Sequence, residues 1–181
     1  AVTSALLFAA FSSLWTTLAF LLEAPPFGYG PEVAGLFGLV GAIGAAGAPV
    51  FGRLTEQIGP RSAVVWALII TLVGFLILAV SGHSIIGLII GILVMDLGVQ
   101  SGHVANQTRI YGIDSSARGR LNTAYMVTYF IGGAMGSAFG AFFWQHAGWL
   151  GVCSFAISAV VLGLAIMKRN TAVTATASPL G

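Results

Sequence analysis

"IGILVMDLGVQSGHVANQTRIYG", residues 90–112, decides how the rest of the chain is read. The run is apolar enough for a membrane helix, yet Asp96 interrupts it, and Gln100, His103 and Gln107 follow at spacings of four, three and four. Each residue of an α-helix turns the chain by about 100°. The four polar side chains therefore share one narrow face. The opposite face carries Gly87, Gly91, Gly98 and Ala105, a smooth surface that lets a neighbouring helix approach closely. Before Asp96 the polar face turns apolar, with Ile85, Ile89 and Ile92. A charged Asp at the centre of a membrane helix costs about 2.5–3.5 kcal/mol on insertion scales. Two readings of Asp96 stay open at that cost. It can carry a proton, or it can be a fixed hydrogen-bonding hub that Gln100 joins. His103 lies roughly 10 Å further along the face, and histidine is the side chain that ordinarily titrates near neutrality. At that end of the helix His103 and Gln107 can also simply meet water.

The whole chain is as greasy as this stretch. Of its 181 residues 57% are hydrophobic and 7% charged, where a soluble domain carries about 25% charged. Too few charges remain to cover a surface in water. The 25 glycines follow no collagen-like period, which suits packed membrane helices. A lone cysteine, Cys153, excludes a disulfide framework. The chain starts at Ala1 and runs straight into an apolar segment without a signal-peptide pattern, so a fragment is expected.

Crossing a bilayer takes about 20 mostly apolar residues. Six segments qualify: 4–22, 33–52, 62–80, 84–107, 121–144 and 148–167. The expectation is an all-α membrane protein with six transmembrane helices. "EAPPFGYGPE" (23–32), "SGH" (81–83) and "QHAG" (145–148) make the short turns on one side. All seven basic residues, Arg53, Arg61, Arg109, Arg118, Arg120, Lys168 and Arg169, lie in the connections on the other. Basic residues in short loops mark the cytoplasmic side, so both ends of the chain are expected in the cytoplasm. A bundle over 1–169 is followed by a small, polar tail, 170–181, expected to be disordered.

After the second span comes "GRLTEQIGPR", residues 52–61. Gly52, Glu56, Gly59 and Arg61 fall at the spacing Gly-x-x-x-acid-x-x-Gly-x-basic. Gly52 allows close packing at a helix end, and Gly59 supplies a turn dihedral that other residues resist. Glu56 can pair with a nearby basic residue. In this setting the loop resembles the cytoplasmic signature of the major facilitator superfamily of secondary transporters. It departs from that pattern in Glu56 for Asp, Gln57 where a basic residue is common and Pro60 for Arg, departures typical of the copy in the second half. Residues 8–54, "FAAFSSLWTTLAFLLEAPPFGYGPEVAGLFGLVGAIGAAGAPVFGRL", are similar to helices seven and eight of bacterial drug- and metabolite-efflux members. Residues 96–140, from "DLGVQSGH" to "MGSAFG", are similar to helices ten and eleven. The resemblance implies two inverted three-helix repeats, 1–81 and 82–169, forming the C-terminal half of a twelve-helix transporter. It further implies a missing N-terminal six-helix half, a small-molecule substrate, protons as coupling ion and a bacterial inner membrane. Neither cofactor, metal nor nucleic acid is implied.

Two other spans carry candidate pathway residues. In the fifth, Asn122, Tyr125 and Tyr129 share a face with Gly132, Gly136 and Gly140, a double G-x-x-x-G that signals tight helix contact. Tyr129 is deep enough to line a cavity, whereas Tyr125 suits the membrane boundary. In the first span, Ser12, Thr16 and Glu23 share a face, and Thr16 is the candidate there, although such hydroxyls often bond back to their own helix. Spans three and six are nearly uniformly apolar and fit the outer positions of the resembled fold. A six-span membrane enzyme is the alternative, but Ser101 and His103 are two residues apart and point in different directions. A channel would need a filter or charged rings, and no such pattern is present. The expected substrate or proton pathway is thus Asp96, Gln100, His103, Tyr129 and Thr16.

Overall fold

Proline and glycine set many of the helix boundaries. The computed structural model describes residues 1–47 and 57–176, and among them there is no strand. Among the described residues the elements in order include α1 (Val2–Glu23), α2 (Pro31–Ala46), α3 (Pro60–Val80), α4 (Ile85–Tyr111) and α5 (Arg118–Thr176), the last preceded by a 3-10 turn, Ser115–Ala117. Pro31 and Pro60 open α2 and α3 as the first helical residue, where a missing N–H costs nothing. Ser84 caps α4 by accepting a hydrogen bond from the Gly87 N–H at 3.2 Å. By length and composition, α1, α3, α4 and α5 can each cross a membrane. The described part of α2 is shorter, 16 residues. The rest of the expected span 33–52 lies outside the described residues, as do Pro49, Gly52 and Glu56.

α5 is 59 residues long but not one rod. At Gly148 the backbone leaves helical geometry, with φ 59° and ψ −151°, a conformation open in practice only to glycine. Beyond it the chain doubles back. Phe155 of the second limb packs on Phe139 and Phe143 of the first, with ring centroids 5.6 Å apart in both pairs. The limbs, 118–147 and 149–176, cover the expected spans 121–144 and 148–167. The second limb is pinned to α3 by Trp149, whose indole N–H donates to the Leu78 carbonyl at 2.8 Å. The helix is described as far as Thr176. The sequence from Asn170 on holds no glycine or proline before Pro179, so nothing stops the helix at the membrane boundary.

Glycine governs how the helices pack. The smooth face of α4 lies on α3: Gly91 abuts Leu78, Gly98 abuts Thr71, and Gly74 of α3 abuts the Met95 backbone. The double G-x-x-x-G of α5 lies on α1, with Gly132 against Ala5, Gly136 against Ala9 and Gly140 against Ser13. At each of these, backbone meets backbone. Asp114 closes the α4–α5 turn, accepting from the Ser116 hydroxyl at 2.7 Å and the Ser116 N–H at 2.8 Å. The Ser116 hydroxyl first, then its N–H, holds this exposed carboxyl below the ordinary aspartate range. Large apolar side chains such as Ile43, Ile86 and Val80 stand 68–86% exposed, a surface suited to lipid or to another membrane helix.

Candidate functional site

The polar stripe of α4 does not face a single environment. Its members divide among three neighbours, and Asp96 has the most enclosed setting. Asp96 is 2% exposed, and its Oδ2 has no hydrogen-bond partner. The glycine row of α2 brings the backbone up to it. A methyl added at Gly41 would stand 2.5 Å from Asp96 Oδ2 and 2.7 Å from the Trp15 ring. One turn on, a methyl at Gly44 would stand 2.8 Å from the Leu93 carbonyl. Gly41 therefore leaves room for the acid and the indole where any side chain would take it.

A cavity of about 350 Å³ opens between α1, α2 and α4, lined by Phe11, Trp15, Gly38, Gly41, Ala42, Ala45, Asp96 and Gln100. Its size falls in the range of small-molecule sites, about 300–1,000 Å³. The Trp15 indole N–H is also buried without a formed hydrogen bond, although it lies close enough to Asp96 to act on its carboxyl. The donor and the acceptor thus sit beside each other at one cavity.

His103 belongs to a second cluster. Its Nδ1 is 3.0 Å from the Tyr125 hydroxyl, which also reaches the His103 carbonyl at 3.3 Å. Tyr129 packs on the His103 ring with centroids 4.7 Å apart, and Phe8 stacks on Tyr129 at 4.1 Å, nearly parallel. From Phe8 the aromatic row returns along α1, through Phe11 at 5.7 Å, to Trp15, whose ring lies 6.1 Å from Phe11. One wall of rings so joins the surroundings of His103 to those of Asp96. Gln107 forms the third contact, donating to Asn122 at 3.4 Å, an acceptor shared with the Tyr111 hydroxyl at 2.8 Å.

Of the expected pathway residues, Asp96 and Gln100 line the cavity, and His103 and Tyr129 come together beside it. Thr16 is elsewhere. Its hydroxyl donates to Ser137 at 2.9 Å, inside the α1–α5 contact. Tyr125, which suits the membrane boundary, is 1% exposed and bonded to His103. Within the loop motif, Gly59 has φ 82°, and Arg61 donates to the Met167 carbonyl at 3.4 Å on the second limb of α5. Among the described residues no group of three or more His, Cys, Asp or Glu could hold a metal ion. Three ring positions, Phe8, Phe11 and Trp15, were not singled out in the sequence. Their spacing of three and four was the available signal, hidden because every residue around them is also apolar or small.

A family model described as Major Facilitator Superfamily matches residues 1–177. The uncharacterized transporter YgaY of Escherichia coli O157:H7 is 46% identical over 170 residues, covering 94% of this chain and 43% of the relative. "Probable transporter SCO4007" of Streptomyces coelicolor is 36% identical over 163 residues, covering 90% of this chain and 38% of the relative. An uncharacterized transporter of Buchnera aphidicola is 25% identical over 164 residues, 91% of this chain and 40% of its own length. The chain spans about two fifths of the length of these relatives.

Proposed function

The chain belongs to the Major Facilitator Superfamily, a family of transporters rather than enzymes, and we propose that it is the C-terminal half of a proton-coupled transporter that exports a small organic compound. In this reading the chain makes six spans in two inverted three-helix repeats, 1–81 and 82–169. Alternating access rocks this bundle against an N-terminal half of similar size. Both ends of the chain face the cytoplasm of a bacterial inner membrane, which the one-sided placement of all seven Lys and Arg residues supports.

The observation that carries the reading is the setting of Asp96. It is buried, one oxygen lacks a partner, and it faces a cavity of ligand size. A structural hub would spend both oxygens on neighbours. Intramembrane acids that face a cavity are the groups by which transporters handle ions. Asp96 and Gln100 then form the binding and proton site, and His103 with Tyr129 extends it toward the cytoplasm. The loop motif, Gly52, Glu56, Gly59 and Arg61, would guard the cytoplasmic entrance.

The test uses the full-length transporter in liposomes loaded with a pH-sensitive dye. A panel of neutral, anionic and cationic compounds on one aromatic scaffold is presented under an imposed pH gradient. At least one compound is expected to move protons in the wild type, and Asp96→Asn is expected to bring the response to the level of empty liposomes. Failure of every compound, or proton movement that survives Asp96→Asn, would overturn the assignment.

A further inference from the structure

Four cations come together where α3, α4 and the second limb of α5 reach the basic side of the molecule. Arg61, the second residue of α3, donates to the Met167 carbonyl at 3.4 Å. Arg109, in the last turn of α4, donates to the Met167 sulfur at 3.5 Å. Lys168 and Arg169 follow Met167 directly on the second limb, and both are exposed. A thioether is a weak acceptor, so Met167 holds Arg109 in place without neutralising it. Few acids share this end. Glu23 and Glu32 belong to the opposite side and Asp96 to mid-span. Asp114 already accepts two bonds from Ser116, and Glu56 lies outside the described residues. The apolar run of the last span stops at Met167, which puts the cluster at the membrane boundary. Toward the middle of the membrane, α3 exposes Trp66, Val73 and Leu76 and the second limb exposes Val161 and Leu162, each by 44–55%.

We propose that the Arg61–Arg109–Lys168–Arg169 cluster binds the phosphate headgroup of an anionic phospholipid, whose acyl chains lie on the exposed apolar faces of α3 and the second limb of α5. The inference needs the chain to span a membrane and is independent of what it transports. A guanidinium presents a planar fork that matches a phosphate at two points, and a lysine adds a compact charge. The long stems of both residues can lie along apolar surface while their heads reach the headgroup level. Basic residues gathered just beyond membrane helices attract anionic lipid. A soluble phosphate would use the cations and leave the apolar faces idle, whereas a lipid uses both. A zwitterionic lipid would bring its own cation into a cluster of cations. Position matters as well as charge. Arg118 and Arg120 are exposed on the same side of the molecule, but they open the first limb of α5, in a different connection.

Native mass spectrometry of the purified full-length protein in a neutral detergent tests this, read as the apparent Kd of the first molecule bound. The probes are dioleoyl phosphatidylglycerol, dioleoyl phosphatidylcholine and glycerophosphoglycerol, which is the first probe's headgroup without its chains. Phosphatidylglycerol is expected to bind at least about twentyfold more tightly than phosphatidylcholine, from roughly fivefold for each cation near an anionic lipid. Arg109→Gln combined with Lys168→Gln is expected to bring the two lipids within about threefold of each other. Arg118→Gln combined with Arg120→Gln removes the same charge from the same side and is expected to keep the preference. A monodisperse elution profile verifies the fold of each double variant, and the comparison of probes on the wild type stands without either. Equal binding of the two lipids overturns the proposal. So does equal binding of phosphatidylglycerol and its bare headgroup, which would make the cluster a site for a soluble phosphate. A preference that survives loss of Arg109 and Lys168, or that falls equally in both double variants, overturns it too, since the attraction would then belong to the whole basic side and not to this cluster.

Discussion

Two of the glycine rows that pack helices in this molecule do different work. On α5, Gly132, Gly136 and Gly140 meet the backbone of α1 at Ala5, Ala9 and Ser13. On α2, Gly41 meets the side chains of Asp96 and Trp15, and only Gly44, one turn later, meets backbone. The α1–α5 seam is closed by main chain that cannot step aside. The α2–α4 seam is held at Gly44 and left open at Gly41, and the cavity lies in that opening. A small-residue stripe therefore announces a close approach but not what is approached. When the partner is backbone the stripe is a joint, and when the partner is a polar side chain it is the wall of a site.

The largest effect is expected at the closed seam. Gly136→Leu would drive a four-carbon side chain into the Ala9 backbone, where the space for even one methyl is missing. Overpacking of this kind costs typically 1–3 kcal/mol, occasionally more, and here the two helices must part to relieve it. The full-length protein is expected to lose most of its folded yield, read as the monodisperse fraction after extraction. A Gly136→Leu protein that extracts and transports normally would mean the seam is not a fixed joint.

A smaller and different effect is expected at the open seam. Gly41→Ala adds one methyl, and the atoms it meets are a carboxylate oxygen and an indole ring. Those side chains can turn where backbone cannot, so folding should change by less than about 1 kcal/mol. The acid and the ring would no longer share the cavity, and proton movement per folded molecule in the liposome assay is expected to fall roughly tenfold. Should Gly41→Ala instead unfold the protein while transport per folded molecule stays intact, the two seams would be alike and the comparison would fail.

How much of this was legible beforehand depended on contrast within each helix. α4 could be read because its polar and glycine positions stand out from an apolar background at helical spacing. Both faces went where that spacing sent them, Gly91 and Gly98 to α3 and Asp96 toward a cavity. The double G-x-x-x-G of α5 was legible for the same reason, although not its partner. α1 offered no contrast. In a membrane an apolar residue suits lipid, a neighbouring helix or a cavity wall equally well, so Phe8, Phe11 and Trp15 gave no sign of which they faced. The few hydroxyls in α1 drew attention instead, and they are spent on helix packing: Thr17 bonds back to the Ser13 carbonyl at 2.9 Å, and Thr16 bonds across to Ser137. The break in α5 was visible as "QHAG", but only the backbone shows that Gly148 alone makes the turn.

Thr16 gives the smallest and most discriminating test. Its hydroxyl donates to Ser137 within the closed seam and does not line the Asp96 cavity. Thr16→Val keeps the shape of the side chain and removes that one bond. Hydrogen bonds between membrane helices contribute about 0.6 kcal/mol on average, because the separated helices also find partners. The variant should therefore unfold slightly earlier in a denaturant titration, with transport unchanged. The two seams make opposite forecasts for this residue. If Thr16 only clips α1 to α5, its loss touches stability alone. If Thr16→Val impaired proton movement as Asp96→Asn is expected to, the α1–α5 seam would have to open during the cycle. The glycine joint would then be a moving part of the pathway, and the distinction between a closed and an open seam would describe one conformation rather than two kinds of contact.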